Sequence, residues 1–187
     1  ARITDVQVGD KKLQADLFIM ASGSWLPETM KLAGLNIPLM PGKGYSFTVE
    51  SPERSLNIPA ILCEARVAIT PMNGRMRYGG TMELGGIDPR INLNRVRGIV
   101  ESVPAYFPDL KVEMPAEKDI WYGFRPCSPD GLPYIGFARS LDNLIVAGGH
   151  AMMGLSLGPA TGKLVAELAT GNKTSIGISA FDPNRFS

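Results

Sequence analysis

The sequence predicts an α+β fold, in which the two ends of the chain form an α/β layer and the middle forms an antiparallel sheet. Two short segments, residues 16–21 and 143–147, are apolar after their first residue, break into small residues and are followed by helical patterns. Continuous apolar runs of this length are typical of strands that are covered on both faces. Between them, residues 45–50 alternate between apolar and polar side chains, which is typical of a strand with one face in the core.

The composition argues against several functional classes. Lys and Arg number 19 against 18 Asp and Glu, so bulk charge offers no surface for nucleic acid. The apolar runs are far shorter than the ~20 residues of a membrane-spanning helix. His150 is the one histidine, which excludes a multi-histidine metal site, and we expect no metal. Cys63 and Cys127 lack a metal-binding spacing, so we expect reduced thiols in a cytoplasmic protein.

The first 34 residues predict a hairpin followed by a strand and a helix. Residues 2–8 and 12–15 are expected to pair across a turn at Gly9-Asp10. Residues 16–21 are expected to form a buried strand that ends in the small residues Ser22-Gly23-Ser24. Residues 25–32 then form a short helix that stops before Gly34. In a layer of this kind, ligands bind beyond the carboxyl ends of the strands.

The middle of the chain predicts antiparallel strands and one helix. Strands are expected at residues 65–69 and 75–78, with residues 71–74 as the turn between them. Asn92 is expected to cap a helix that ends at Pro104. The apolar residues of this helix recur at three- and four-residue spacing: Leu93, Val96, Val100 and Val103.

The α/β pattern returns after residue 119. We expect a strand at residues 120–124, a constrained loop at residues 125–131 and a buried strand at residues 143–147. A helix is expected over residues 155–169, with Gly171 beyond its end.

Two segments carry chemistry of their own. The strand that ends at Gly148-Gly149 leads directly into a helix, whose first N–H groups and dipole favour an anionic group. A reduced flavin is such a group, because charge develops over N1 and the C2 carbonyl; the alternative is a turn that needs glycine only for close packing. Arg125 follows an apolar strand, where its planar fork suits a carboxylate. Its alternative is an ordinary surface arginine.

Other candidates have stronger structural alternatives. Tyr45 and Tyr78, like Tyr122, are candidates for lining a pocket, although tyrosines in strands usually pack. Met152 and Met153 suit either the face of a flat ring or the core. His150 is expected to form a hydrogen bond within its own turn. Lys43 lies in a stretch rich in Gly and Pro and is expected to be solvated.

Four segments together, in this order and spacing, resemble the D-amino-acid oxidase (DAO) family of FAD-dependent oxidoreductases. They are residues 15–25, residues 38–46, residues 123–136 with the sequence GFRPCSPDGLPYIG, and Gly148-Gly149-His150 with the helix after it. Residues 41–46, with the sequence PGKGYS, are most similar to bacterial D-amino-acid dehydrogenases.

The resemblance implies roles for individual residues. Arg125 is expected to pair with the substrate carboxylate, with Tyr45 and Tyr78 in the substrate-binding region. The expected cofactor-binding residues are Ser22, Gly23, Trp25, Gly149, His150, Met152, Met153, Gly154, Leu155 and Ser156. Ala151 stands where many relatives carry glycine.

The resemblance also implies an organisation and a reaction. Residues 1–40 and 119–187 are expected to be the carboxy-terminal part of an FAD-binding domain, and residues 41–118 a substrate-binding antiparallel β domain. The implied reaction is oxidation of a small amino acid or amine by hydride transfer from its α-carbon to flavin N5, with oxygen or a quinone as the electron acceptor.

The dinucleotide fingerprint G-x-G-x-x-G is absent from the sequence, so we expect this chain alone to bind FAD weakly or not at all. The alternatives are a non-catalytic domain or subunit that needs a separate FAD-binding chain, and an FAD-dependent 2-hydroxy-acid dehydrogenase. Peripheral association with the inner face of the cell membrane and a homo-oligomer both stay open.

Overall fold

The computed structural model describes residues 1–186. It contains both helices and strands and confirms the predicted α+β class. The strands are β1 (Val6–Val8), β2 (Lys11–Leu13), β3 (Phe18–Met20), β4 (Met40–Glu50), β5 (Ala60–Leu62), β6 (Val67–Met72), β7 (Arg75–Leu84), β8 (Trp121–Cys127), β9 (Tyr134–Phe137) and β10 (Leu144–Gly148). The helices are α1 (Leu26–Leu32), α2 (Leu93–Tyr106) and α3 (Gly154–Ala169). No helix among the described residues is long and apolar enough to cross a membrane.

The chain divides into two compact units. The first unit contains Ala1–Pro41 and the described residues from Arg125 onward, and the second contains Gly42–Phe124. The chain enters the second unit within β4 and leaves it within β8. The predicted segment 41–118 is close to this second unit at its start, which lies at Gly42, but the unit extends six residues further, to Phe124.

The first unit is built around a three-stranded sheet with the order β3-β10-β9. β10 lies parallel to β3, with Met20 opposite Val146, and antiparallel to β9. Leu144 and Val146 pack in one cluster with Leu26 of α1, whereas Ile145 packs in another cluster with residues of α3. Helices therefore cover both faces of β10, which explains why its sequence is apolar without alternation.

β3 forms where it was predicted, but the expectation that it is buried was wrong in part. Phe18 and Met20 pack against the α1 cluster, whereas the Ile19 side chain is 52% exposed. β3 lies at the edge of the sheet, and α3 packs on β10 and β9. The predicted hairpin at the start of the chain is confirmed, since β1 and β2 pair around Gly9-Asp10.

The second unit contains a five-stranded sheet with the order β5-β6-β7-β4-β8, in which β5, β6 and β7 form an antiparallel meander and β4 pairs with β7. One face of this sheet packs on α2. The core between them includes Tyr45, Phe47, Ile69, Met76, Tyr78, Val96, Ile99 and Val103. β6 and β7 pair up to Met72 and Arg75, so the turn is only Asn73-Gly74, shorter than predicted. Both turn residues have positive φ, at 47° and 79°, which fits a two-residue hairpin.

The cap of α2 is confirmed, but its predicted end was wrong. The Asn92 side chain accepts a hydrogen bond from the Asn94 N–H at 3.2 Å. The helix continues past Pro104 to Tyr106, and the Phe107 N–H still bonds the Val103 carbonyl at 2.9 Å. A proline in the last turn removes few helical hydrogen bonds, so the helix can continue.

The expected loop at residues 125–131 was also wrong in its first part. β8 continues through Arg125 and Pro126 to Cys127, so these residues are extended. An antiparallel bridge between Cys127 and His150 keeps this strand end in place. Gly131, with φ +77°, marks the turn that follows. α1, β10 and α3 appear as predicted, whereas β5 and β9 were not predicted.

Candidate functional site

Two turns leave the same edge of the sheet in the first unit. Because β3 and β10 are parallel neighbours in register, their carboxyl ends lie side by side. The first turn follows Met20 and leads into α1, and the second follows Gly148 and leads into α3. Each turn passes through a short 3-10 segment, Gly23–Trp25 or Ala151–Met153, before its helix begins. The residues expected at the cofactor all lie in these two turns and the first turn of α3.

The first turn presents an indole beside a tightly bonded backbone. The Ser22 and Thr29 hydroxyls lie 2.6 Å apart and share a hydrogen bond, which ties the turn to α1. Gly23 has φ +60°, a conformation that glycine adopts without strain. The Trp25 side chain is 48% exposed, which is unusual for so large an apolar surface.

The second turn depends on a glycine with a buried tyrosine beneath it. Gly149 has φ +81°, and a Cβ there would come within 2.9 Å of the Tyr134 ring. A side chain at this position is therefore excluded by both conformation and space. Ala151 has φ +48°, which is a strained backbone conformation for alanine.

Among the described residues, no side chain caps the amino terminus of α3, which carries exposed apolar side chains. Met152, Met153 and Leu155 are 68%, 54% and 95% exposed, and Ser156 is also exposed. Uncapped N–H groups carry the positive end of the helix dipole. This surface suits a flat apolar group with an anionic edge.

His150 is held neutral in this turn. Its Nε2 lies 2.8 Å from the Thr161 hydroxyl on α3. Partial burial lowers the pKa of the imidazole below its ordinary value, because desolvation disfavours the charged form. At pH 7 the imidazole therefore adds no positive charge to that of the helix terminus.

Arg125 is connected to this second turn through the backbone. It is partly exposed in β8, two residues before Cys127, which forms the bridge to His150. The Cys127 thiol donates to the Arg125 carbonyl oxygen at 3.4 Å. The strand end that carries the guanidinium therefore lies in the same unit as the uncapped helix terminus.

Tyr45 and Tyr78 lie in the core of the second unit, in contrast to their expected pocket-lining role. Each side chain is only 1% exposed. The Tyr78 ring stacks on Phe47 with centroids 5.4 Å apart, and burial raises the pKa of its hydroxyl. Both tyrosines lie on the sheet face that α2 covers, which is the usual position of aromatic residues in strands.

Lys43 was expected to be solvated, and the structure shows the opposite. It is only 3% exposed, and its ammonium group donates to the carbonyl oxygens of Asp88 at 2.9 Å and Arg90 at 2.7 Å. The same nitrogen lies 5.5 Å and 5.9 Å from the ring centroids of Tyr45 and Tyr122. Residues 41–47 of β4 are all buried, and the pairing of β4 with β7 shifts register between Lys43 and Tyr45, so simple alternation along the strand does not predict the burial of Lys43.

The Tyr45 hydroxyl forms further hydrogen bonds near the buried ammonium group of Lys43. It donates to Glu83 Oε2 at 2.7 Å and accepts from the Asn92 N–H at 3.2 Å. Burial, followed by the hydrogen bond to Glu83, raises the pKa of the tyrosine. Arg95 Nε lies 3.5 Å from the same carboxylate oxygen. This network joins β4 and β7 to the cap of α2, and its polar groups are paired as burial requires.

Replacing Lys43 tests this network. Lys43→Met keeps an unbranched side chain but leaves the carbonyls of Asp88 and Arg90 without their donor. The free energy of unfolding should fall by about 2 kcal/mol. Chemical denaturation measures this change, and Lys118→Met, at an exposed position of the same unit, is the matched control. A variant as stable as the starting protein would show that the ammonium contributes nothing.

The lowered pKa of His150 predicts a pH effect on stability. Above pH ~6.5 the imidazole is neutral in both the folded and unfolded chains, so it makes no difference. As the pH falls below this value, the unfolded chain takes up a proton that the folded chain does not, and stability decreases until the folded pKa is passed. His150→Gln should remove this part of the pH dependence, as measured by denaturation from pH 7 downward. An unchanged profile would contradict it.

Residues 1–168 match the family model described as FAD dependent oxidoreductase, abbreviated DAO. The chain is 31% identical over 176 residues to a D-amino-acid oxidase of Bradyrhizobium diazoefficiens and 35% identical over 177 residues to a D-amino acid dehydrogenase of Granulibacter bethesdensis. Each match covers 94% of this chain and 42% of the relative, so the chain spans less than half the length of these relatives.

Solved structures agree with this assignment. Glycine oxidase from Geobacillus kaustophilus is 29% identical, with a TM-score of 0.83 over 96% of this chain and 48% of that protein. L-proline dehydrogenase from P. horikoshii has the same fold, with a TM-score of 0.85 and 24% identity over 99% of this chain and 50% of that protein. With the family model spanning nearly the whole sequence, the chain belongs to the DAO family of FAD-dependent oxidoreductases.

Proposed function

We propose that the complete polypeptide carrying this chain oxidises a small amino acid or amine through FAD, and that Arg125 binds the carboxylate of the substrate. The observation that carries the proposal is the Cys127–His150 bridge, which ties the strand end bearing Arg125 to the turn before α3. A guanidinium that can donate hydrogen bonds to a carboxylate and a helix terminus that can stabilise an anion then belong to one unit. The relatives support the substrate class, since their names specify D-amino acids, glycine or L-proline.

The residues of the two turns fit a flavin ring. Trp25, Met152, Met153 and Leu155 expose apolar surface that a flat ring would cover. The uncapped N–H groups of α3 would face the pyrimidine edge, where negative charge develops on reduction. When bound, FAD supplies the hydride acceptor at N5 for the α-hydrogen of the substrate.

The chain's own residues then serve to bind and orient. The fork of Arg125 would hold the two carboxylate oxygens and fix the direction of the α-carbon. Because His150 is neutral, the helix terminus rather than the imidazole would stabilise the developing negative charge. The reaction class does not require a basic side chain on this chain, which is consistent with its single histidine.

We propose further that the pyrophosphate of FAD is held by a part of the protein outside these 187 residues. The sequence has no G-x-G-x-x-G after a strand, the motif whose glycines let the backbone approach a pyrophosphate. If that part belongs to the same polypeptide, the first proposal holds. If it belongs to a partner chain, this protein is a subunit that is inactive alone.

Replacing Arg125 tests the carboxylate role. In the complete polypeptide, Arg125→Ala should raise KM for carboxylate substrates by about 30- to 150-fold, the equivalent of ~2–3 kcal/mol for a lost charge-assisted pair. KM for an amine without a carboxylate should not change, and Arg139→Ala, at an exposed position of the same unit, is the control.

The assay uses matched carboxylates that carry an amine or a hydroxyl at the α-carbon, so it also separates amino-acid oxidation from 2-hydroxy-acid oxidation. An unchanged KM in Arg125→Ala would remove this arginine from the substrate site.

A further inference from the structure

The carboxyl end of the chain folds back onto the loop that follows Arg125. Arg185 forms a two-point ion pair with Asp130, with Nε 2.8 Å from Oδ2 and Nη2 2.9 Å from Oδ1. Parallel hydrogen bonds of this kind are geometrically specific as well as strong. Arg185 lies beyond residues 1–168, to which the family model matches.

Each N–H of the Arg185 guanidinium has an acceptor. Besides the two bonds to Asp130, Nη2 donates to the Leu132 carbonyl at 2.7 Å. Nη1 donates to the carbonyls of Pro133 at 3.3 Å and Asp182 at 3.1 Å. A guanidinium has five N–H donors, so its hydrogen-bonding capacity is fully used. The side chain is 13% exposed, which places this ion pair well out of solvent on the arginine side.

The loop that Arg185 binds continues directly from the end of β8. Ser128 donates to the Leu132 carbonyl at 2.7 Å, and Asp130 accepts from the Leu132 N–H at 3.1 Å. Arg185 holds the pKa of the Asp130 carboxyl well below its usual range, so the pair stays charged under ordinary conditions. The segment after Cys127 is thus fixed by contacts within the loop and by Arg185 from outside it.

Arg185 also supports the second turn. Its guanidinium carbon lies 4.1 Å from the centroid of the fully buried Tyr134 ring. That ring lies against Gly149, where an added Cβ would come within 2.9 Å of it. The Tyr134 hydroxyl is itself anchored by a hydrogen bond to the Pro38 carbonyl. Arg185 therefore contacts the loop after Arg125 and, through one aromatic ring, the turn that contains His150.

We propose that Arg185 is a positioning residue for substrate binding, which fixes the end of β8 relative to the Gly149 turn and so sets the direction of Arg125. It acts through Asp130 and Tyr134 and touches no substrate itself. The inference rests on the proposed carboxylate role of Arg125, but it adds a residue outside the matched family region. Lysine cannot replace this arginine fully, because an ammonium group cannot form the parallel pair of bonds.

The test compares variants of the complete polypeptide. Arg185→Ala and Asp130→Asn should each raise KM for a carboxylate substrate about tenfold, with no rise for the amine lacking a carboxylate. Arg185→Lys should recover part of the loss. Hydrogen exchange should become faster at residues 128–134 and 148–150. Arg54→Ala, which breaks another Arg–Asp pair of 2.9 Å, is the control and should change neither measurement.

The two readouts separate positioning from simple destabilisation. A merely structural role would lower the amount of active protein for both substrates without changing the ratio of their KM values. If KM is unchanged in Arg185→Ala but raised in Arg125→Ala, the inference about Arg185 is overturned alone. If both variants keep the original KM, Arg125 is not the anchor and both proposals fall. Should Arg185→Ala not fold, Asp130→Asn, which keeps the size of the side chain, gives the same decision.

Discussion

The parallel pairing of β3 with β10 is the constraint on which the rest of the candidate site depends. Since Met20 lies opposite Val146, the turns after the two strands leave one edge of one sheet. β10 can hold this register because α1 covers one of its faces and α3 the other. A shift of β10 by one residue would exchange the side chains that pack on α1 and α3, so close packing on both faces opposes it. Residues more than 120 positions apart in sequence thus come to the same edge.

The two turns at that edge contain few ionisable groups. The α3 terminus contributes partial positive charge, and the bridge at His150 brings a strand with one full positive charge, Arg125, into the same unit. Burial keeps His150 neutral, so its imidazole does not compete for an anion. In the second unit, by contrast, a charged group is buried: the ammonium of Lys43 is compensated by carbonyl oxygens and aromatic rings. There a charge stabilises the fold.

The features that the sequence predicted are those encoded by neighbouring residues. β10, α3 and the glycine turn between them follow from an apolar run, a helical period and local glycines. Two of the expectations that were wrong depended on distant contacts: Ile19 is exposed because its strand is at an edge, and Lys43 is buried where its ammonium group donates to carbonyls 45 and 47 positions away. Arg185 lies 55 positions from Asp130, and no local pattern indicates that they pair.

In the proposed function, the two turns and the end of β8 bind the ring of FAD and a substrate carboxylate, whereas another part of the protein binds the pyrophosphate. Flavin absorbance after extensive dialysis measures this division most directly. The purified 187-residue chain should lose FAD on dialysis, whereas the complete polypeptide should retain it in stoichiometric amount. Stoichiometric FAD on the 187-residue chain alone would contradict the division, since the cofactor would then be held without a pyrophosphate-binding fingerprint.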